Sequence, residues 1–410
     1  MTSVATPPLD GLKVVEIGVA MAGPFCGMTL ADYGADVVKV ERVGHGDESR
    51  HWPPYFKGDV SYYFAAANRN KRSFAVDLKT PEGLDLVRRL ALDADILIDN
   101  FRVGALDALG LGYEALSQVN PRLIYCSISG FGPEGPRRGE RANDIFMQAF
   151  TGGMSVTGYP DGPPAKMGMS VADVGAGMFG VIGILLAIET RHRTGRGQRV
   201  DTSLMEGQLS MLAYHLTYYF ATGQAPQRKG ASGQVSVPYQ AFKASDEWVV
   251  IAAFTNRMWQ GACRAFERPE WIEDPRFLTA DERIHHRDLL VQMIRDIVST
   301  QPAAHWMERL AAEGVPCTPV NTIDKVVTDP QVKARNMITE VSHPEAGMMR
   351  MAGPPIKLGA HPPRPMSAPP LLGQHTKEIL SQLGLDETTI QRLMADNVVG
   401  LAGGVRTKEH

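Results

Sequence analysis

Short β-branched runs separated by stretches of helical spacing dominate the first half of the chain. Leu12–Ile17, Ala35–Glu41, Ser73–Leu78, Ala94–Asp99 and Leu123–Ile128 each have the length and composition that strands favour. Between them, apolar residues recur at helical intervals. Gly34 stops the helical run Gly23–Tyr33 just before a strand, and Thr80-Pro81 opens another with a capping hydroxyl and a proline at the first helical position. This alternation predicts an α/β fold built on a Rossmann-like, doubly wound parallel sheet. By the general rule for such sheets, the ligand site lies at the carboxyl ends of the strands.

The pattern then changes. Asp201–Thr222 reads as one long helix, and Gln224–Gln234 as a polar, glycine-bearing linker. Tyr239–Ala253 has the alternation of a hairpin about a Ser-Asp turn, helical spacing continues through Ala311, and Val315–Val320 is a proline-bounded strand. Residues 1–224 are expected to begin a large domain, and residues 225–325 to form a smaller α/β domain. Residues 326–399 read as a proline-rich connection that returns, through helices at Gln374–Leu383 and Glu387–Asp396, to the large domain. Residues 400–410 read as a flexible tail.

Composition narrows the class. Apolar residues make up 44% and charged residues 21% of the chain, as in an ordinary soluble globular protein. A net charge of −3 provides no general attraction to nucleic acid or an anionic membrane, so a phosphate-bearing ligand needs a local basic site. Cys26, Cys126, Cys263 and Cys317 are scattered, with no metal spacing; no metal is expected, and a reducing, cytoplasmic setting fits. The N-terminus lacks the pattern of a signal peptide. The most apolar helical stretch, around Val181–Ile188, is glycine-punctuated and shorter than a bilayer span requires, so no membrane partner is expected.

Two features carry candidate chemistry. The segment Gly168–Ile188 places Asp173 among glycines and small residues at the start of a strongly apolar helix. Open backbone lets a large substrate approach the carboxylate, which suits a nucleophile that takes an acyl group from a thioester. The plainer account is a helix cap, since Asp accepts hydrogen bonds from unpaired backbone N–H groups at that position. The second feature is a set of basic and amide residues at strand ends: Lys39, Arg42, Asn68-Arg-Asn-Lys-Arg72, Lys79, Asn100 and Arg102, with Arg137, Arg138 and Arg141 after a glycine-rich loop. Together they suggest a polyphosphorylated, nucleotide-like ligand, although each alone is most often a solvated surface charge. No GxGxxG fingerprint follows the first strand, and no GxxxxGK[ST] or GxSxG motif is present.

In order, Ala22-Gly-Pro24, Gly34-Ala-Asp-Val-Val-Lys-Val-Glu-Arg42, Asn68-Arg-Asn-Lys-Arg-Ser73, Asn100-Phe-Arg102, Ser129-Gly-Phe-Gly132, Thr194-Gly-Arg-Gly-Gln198 and Leu371-Leu-Gly-Gln-His-Thr376 resemble a known family. The succession is similar to that of the class III CoA-transferases of the CaiB/BaiF type, which include formyl-CoA transferase and succinyl-CoA–dicarboxylate CoA-transferases. It runs from about Leu9 to Val399. The resemblance implies an interlocked homodimer acting on an acyl-CoA and a small carboxylic acid, with coenzyme A as substrate and no further cofactor. It implies that Asp173 is the nucleophile, through a mixed anhydride and then an aspartyl-CoA thioester. It matches Arg42, Val76, Lys79, Asn100, Phe101 and Arg141 to CoA-contacting positions, and Val19, Ala20 and Ala22 to backbone contacts near the thioester. Met21, Asn143 and Asp144 fall at substrate-side positions.

Met21 replaces a glutamine of formyl-CoA transferase and Asn143 a tyrosine, and Gln224–Val237 lacks its run of glycines. These departures, with Val237–Phe242 and Asn256, favour succinyl-CoA or a similar dicarboxyl-CoA as donor, with Arg69, Arg72 or Arg102 as candidates to hold a distal carboxylate. A 2-methylacyl-CoA racemase is the rival enzyme, but it needs a second acid–base group where this chain has Asn143. A non-catalytic CoA-binding protein is the third alternative.

Overall fold

The computed structural model describes residues 6–233 and 236–402; most of the tail expected at 400–410 lies outside these. Two compact units emerge. One comprises the chain up to Gly153, Met167–Thr217 and the chain from Gln331; the other comprises Met154–Lys166 and Tyr218–Pro330.

The first unit is built on a sheet of β1 (Lys13–Ile17), β2 (Asp36–Glu41), β5 (Arg72–Val76), β6 (Ile96–Asp99), β7 (Ile124–Ser129) and β8 (Arg199–Ser203), all parallel. The antiparallel β14 (Val399–Gly400) joins its edge, giving the order β14-β5-β2-β1-β6-β7-β8. The order runs outward both ways from β1, which makes the sheet doubly wound. A short hairpin, β3 (Tyr55–Phe56) with β4 (Val60–Ser61), lies between β2 and β5 in the chain.

Strand alternation divides the core between the two sheet faces. Val15, Ile17, Leu97 and Tyr125 pack with Leu86 and Val87 of the helix Pro81–Asp93 and with Ile379, Leu380, Ile390 and Leu393 of the C-terminal helices. On the other face, Val14, Ile96, Ile98, Ile124 and Ile128 pack with the helices Ala22–Asp32 and Val171–Thr194. The latter two helices meet almost backbone to backbone. A Cβ on Gly177 would lie 2.7 Å from the carbonyl oxygen of Ala22, so only glycine permits this approach.

A buried charge cluster ties the strand ends together. Lys39 Nζ lies 3.0 Å from Glu16 Oε1, 2.9 Å from Asp47 Oδ2 and 2.8 Å from the Gly18 carbonyl. Lys71 Nζ lies 2.7 Å from Glu16 Oε2 and also meets the Pro24 carbonyl and Asn68 Oδ1. Beside them, Arg50 forks onto Glu41 with both contacts at 2.7 Å, and Ser73 donates to Glu41 at 2.6 Å. The far end of the chain closes over this cluster. Pro370 accepts from Arg50, the Gly373 amide donates to Ser73 Oγ, and Thr376 Oγ1 accepts from the Ala75 amide.

Several elements differ from the sequence expectation. Asp201–Thr222 is not one helix: Arg199–Ser203 is a strand beside β7, and the helices Leu204–Met211 and Ala213–Thr222 follow, interrupted at Leu212. The signal was a capping box, in which Ser203 Oγ accepts from the Glu206 amide and donates back to Glu206 Oε2 at 2.6 Å. The proline-rich connection contains an antiparallel hairpin, β12 (Ile338–His343) with β13 (Gly347–Ala352). The apolar helix is longer than Val181–Ile188: it runs for 24 residues, Val171–Thr194, and is long and apolar enough to cross a membrane, with half of its most apolar window buried in the protein.

The second unit packs β9 (Tyr239–Lys243), β10 (Trp248–Ala252) and β11 (Cys317–Pro319) as an antiparallel sheet. Helices over Asn256–Ala265, Arg287–Val298 and Ala303–Ala312 cover a core that includes Phe242, Trp259, Phe266, Trp271 and Trp306.

Gly27 tests the charge cluster. A Cβ there would sit 2.0 Å from Glu16 Oε2, which two lysines hold in place. Gly27→Ala is expected to cost about 2–3 kcal/mol of stability, read as a lower urea midpoint at unchanged slope. An unaltered midpoint would show that the carboxylate can move.

Candidate active site

Two cavities open at the carboxyl ends of the parallel strands. The first, of about 370 Å³, is lined by Val19, Ala20, Met21, Ala22, Asn100, Asn143, Asp144 and Asp173, with Trp52, Tyr63, Ser129 and Gly130. The second, of about 260 Å³, is lined by Arg42, His45, Val76, Lys79 and Phe101 among others, and Val19 belongs to both walls. The sequence-selected residues are thus divided between two adjoining sites. Arg141 lines neither; it is exposed on the loop that leads to Ala142.

Asp173 sits in the first turn of the helix Val171–Thr194, but it is not the cap. Ser170 occupies the cap position, and no hydrogen bond reaches the Asp173 carboxylate from the described residues. A neighbouring carboxylate does that work instead: Asp144 accepts from the Ala172 amide at 2.9 Å and from Gln148 Nε2 at 2.7 Å. Asp173 is therefore left available to a ligand. Burial, together with the negative charge of Asp144, pushes its pKa from 3.8 up to about 7. A carboxylate of raised basicity is a better nucleophile once ionised, and both forms are populated near neutral pH.

Another wall of the Asp173 cavity is the loop after β1. Asn100 brackets Val19, accepting from its amide and donating to its carbonyl, both at 2.9 Å. Asp47 accepts from the amide of Ala20, which is held at a φ of 62°. The Val19 and Ala20 amides are thus already bonded, so any contact they make with a thioester is not through free N–H groups. Asn143 Oδ1 accepts from the Phe146 amide, which leaves its Nδ2 as a donor at the cavity.

The basic residues separate sharply. Arg69 forks onto Asp32, and Arg72 onto Asp36 and Glu378, while Lys39 and Lys71 belong to the buried cluster. The expectation that Arg69 or Arg72 holds a substrate carboxylate is corrected, because acids within the chain already neutralise both. Arg102 is exposed and lines neither cavity. Arg42 and Lys79 are exposed at the second cavity without an ion-pair partner among the described residues, as an anionic ligand requires.

Sequence reasoning missed Trp52, Tyr63, Ser129 and Asp47. Tyr63 hydrogen-bonds to Ser170, and burial raises its phenol pKa. Trp52 meets the Tyr63 ring edge-on at 4.8 Å. Their positions depend on the fold of β3, β4 and the following helix, and no local pattern marks them. Asp47 had a signal in Asp47-Glu-Ser49, where its carboxylate accepts from the Ser49 amide and hydroxyl.

Comparison with known proteins is consistent along nearly the whole chain. The model of CoA-transferase family III matches residues 9–376. A succinyl-CoA:glutarate CoA-transferase of Homo sapiens is 34% identical over 96% of this chain and 90% of its own length. A succinyl-CoA:mesaconate CoA-transferase of Haloarcula hispanica is 39% identical over 93% of this chain and 98% of its own. The crystal structure of a CAIB/BAIF family protein from Brucella suis superposes with a TM-score of 0.83, at 38% identity, covering 92% of this chain and all of that one.

The raised pKa of Asp173 has a consequence for stability. The native state holds this proton more tightly than the unfolded chain, so stability falls as pH rises from about 4 to about 7, and the charge is a net cost above that window. Asp173→Asn is expected to stabilise the protein by about 1–3 kcal/mol at pH 8, allowing for solvent in the open cavity, and by almost nothing at pH 4. Thermal unfolding at both pH values checks this; an equal gain at each would contradict it.

Proposed function

The chain belongs to CoA-transferase family III and is a class III CoA-transferase, and from that premise we propose that Asp173 carries the coenzyme A between two acids. An Asp173 oxygen attacks the thioester carbonyl of the donor, the carbon–sulfur bond breaks, and CoA leaves as thiolate. The thiolate attacks the aspartyl carbonyl of the mixed anhydride, which releases the donor acid and leaves Asp173 as its CoA thioester. The acceptor carboxylate repeats the first step on that thioester, and the thiolate then takes the acceptor acyl group and restores Asp173. No proton or electron is lost in the cycle, so the reading needs no metal, nicotinamide or flavin.

The observation that carries the reading is the unpaired, poorly solvated Asp173 carboxylate at one end of a wall whose other end has Arg42 and Lys79. A thioester beside Asp173 and the phosphates beside the two cations fit one CoA ester across Val19. As donor we favour succinyl-CoA or another dicarboxyl-CoA, with a small organic acid as acceptor. The relatives' names, which pair succinyl-CoA with glutarate and mesaconate, support this choice. Among the described residues, no Lys or Arg lines the Asp173 cavity. In this reading a distal carboxylate meets neutral donors of the lining, with the Asn143 amide and the Trp52 indole N–H as candidates. Racemisation is less well supported: Asp144 is engaged by Ala172 and Gln148, and Asn143 cannot exchange a proton.

We also read the protein as a homodimer. The helix Asp144–Phe150 exposes Ile145, Phe146 and Phe150, and the helix packed against it exposes Met178, Ile182, Leu185 and Leu186. So many exposed apolar side chains on two packed helices are uncommon on a monomer, and a second copy is the partner we assign to them. Sedimentation should give a dimer at micromolar concentration, and Leu186→Asp should shift it toward monomer; a monomeric wild type would refute the assignment.

Transfer is tested by mass spectrometry of acyl-CoA products after mixing donor acyl-CoAs with a set of acids. Wild type should form new acyl-CoA, and Asp173→Ala should reduce the rate by about a thousandfold or more. The wild-type kcat/KM should rise with pH through about 7 as Asp173 ionises. Equal product from Asp173→Ala would overturn the assignment, and a panel in which only monocarboxylic acyl-CoAs react would overturn the donor class.

A further inference from the structure

One buried acid has no part in the transfer steps. Asp99 is the last residue of β6 and only 5% exposed. It pairs in register with Ile17 on β1 and Ser127 on β7. Strand alternation puts it on the same face as Leu97, toward the cluster that contains Val15, Ile17 and Tyr125. An apolar residue would be buried there at less cost than a carboxylate. Burial indeed pushes the Asp99 pKa up to about 6, even though the hydroxyls of Tyr125 and Ser127 and the Phe101 amide all hydrogen-bond to it. What the carboxylate holds must account for its presence.

It holds a turn. Asp99 Oδ1 accepts from the Phe101 amide at 3.2 Å, two residues on, and the neighbouring strand anchors the carboxylate from the side. The turn delivers two side chains in opposite senses. Asn100 points to the Asp173 cavity and brackets Val19, while Phe101 lines the cavity of Arg42 and Lys79. Asn100 has little freedom: Cβ atoms on Gly18 and Gly23 would lie 3.0 and 3.1 Å from its side chain. A small rotation of the turn would therefore break the paired bonds to Val19 and displace Phe101 together.

We propose that Asp99 is a positioning residue for acyl-CoA, which acts through Asn100 and Phe101 to keep the two cavities aligned as the thioester and nucleotide ends of one site. The inference rests on the CoA-transferase reading above. Its distinguishing feature is coupling: a fault at Asp99 weakens both ends at once.

The test combines steady-state kinetics with binding of two fragments, adenosine 3′,5′-bisphosphate for the nucleotide end and an S-acylpantetheine for the thioester end. Asp99→Ala should raise KM for the acyl-CoA about tenfold with kcat within about twofold, and should weaken both fragments. Asp99→Asn keeps an acceptor for the Phe101 amide and should recover most of the loss. Tyr125→Phe removes one anchoring hydroxyl at nearly constant volume; it should raise KM about threefold, and it serves if the alanine variant does not fold. A merely structural role would lower thermal stability and the active fraction while leaving KM and both affinities at wild-type values, and that result overturns the proposal. So does weakening of one fragment alone, or an Asn variant as impaired as the Ala variant. Wild type that binds neither fragment would sink the CoA reading as well, whereas wild type that binds both with unaffected variants would sink this proposal only.

Discussion

The interaction on which the rest of this molecule depends is the buried contact of Lys39 with Glu16 and Asp47. An ammonium group has three protons, and here each has an acceptor: two carboxylates and the Gly18 carbonyl. Lys71 repeats the arrangement with Glu16, Pro24 and Asn68. Buried charges are tolerable only when they are matched this fully. Burial works against the charge of Lys39, but Asp47 and Glu16 outweigh it and its pKa is raised; Lys71 faces fewer acids, and burial brings it down to about 8. The cluster converts chain segments that the sheet alone would leave loose into fixed geometry: the end of β1, the turn at Asp47 and the first turn of the helix Ala22–Asp32.

The candidate site inherits that rigidity. Asp47 is both a partner of Lys39 and the acceptor for Ala20, so this wall of the Asp173 cavity is fastened directly to the charge cluster. From the other side, close packing at Gly177 brings the Asp173 helix to that wall. A weakly solvated carboxylate can then stay unpaired because its neighbours are occupied elsewhere: Asp144 caps the helix, Asn100 holds Val19, and Ser170 meets Tyr63. The reactive group is defined as much by what its neighbours are doing as by its own position.

Much of this was legible in the chain. The β-branched runs and glycine stops located the parallel strands of the first sheet up to β7, because strands buried on both faces must be apolar throughout. The strand Arg199–Ser203 escaped notice because it lies at the sheet edge, where Arg199 and Asp201 can remain polar. Asp173 was identifiable from its glycine-rich setting, but its lack of a capping bond was not, since the substitute cap is Asp144, 28 positions before the Ala172 amide that it accepts from. The basic residues misled most. Composition cannot tell Lys39, Arg69 and Arg72, which neutralise internal acids, from Arg42 and Lys79, which have no ion-pair partner among the described residues; that difference is decided by partners distant in sequence.

The return of the C-terminal segment has a bearing on biosynthesis. The contacts of Pro370, Gly373 and Thr376 with Arg50, Ser73 and Ala75 join residues about 300 positions apart. On a ribosome, the strands that carry the site emerge long before the segment that closes over Glu41. The unit containing Tyr218–Pro330 has its own core of tryptophans and can be completed first. The nascent chain therefore has its nucleophile well before the closing strand β14, so that the sheet is completed only after a further stretch of more than two hundred residues has been made. Until that segment has emerged, Arg50 and Ser73 beside Glu41 lack their partners, and a product truncated before Pro370 would carry Asp173 on an unclosed sheet rather than a working fragment.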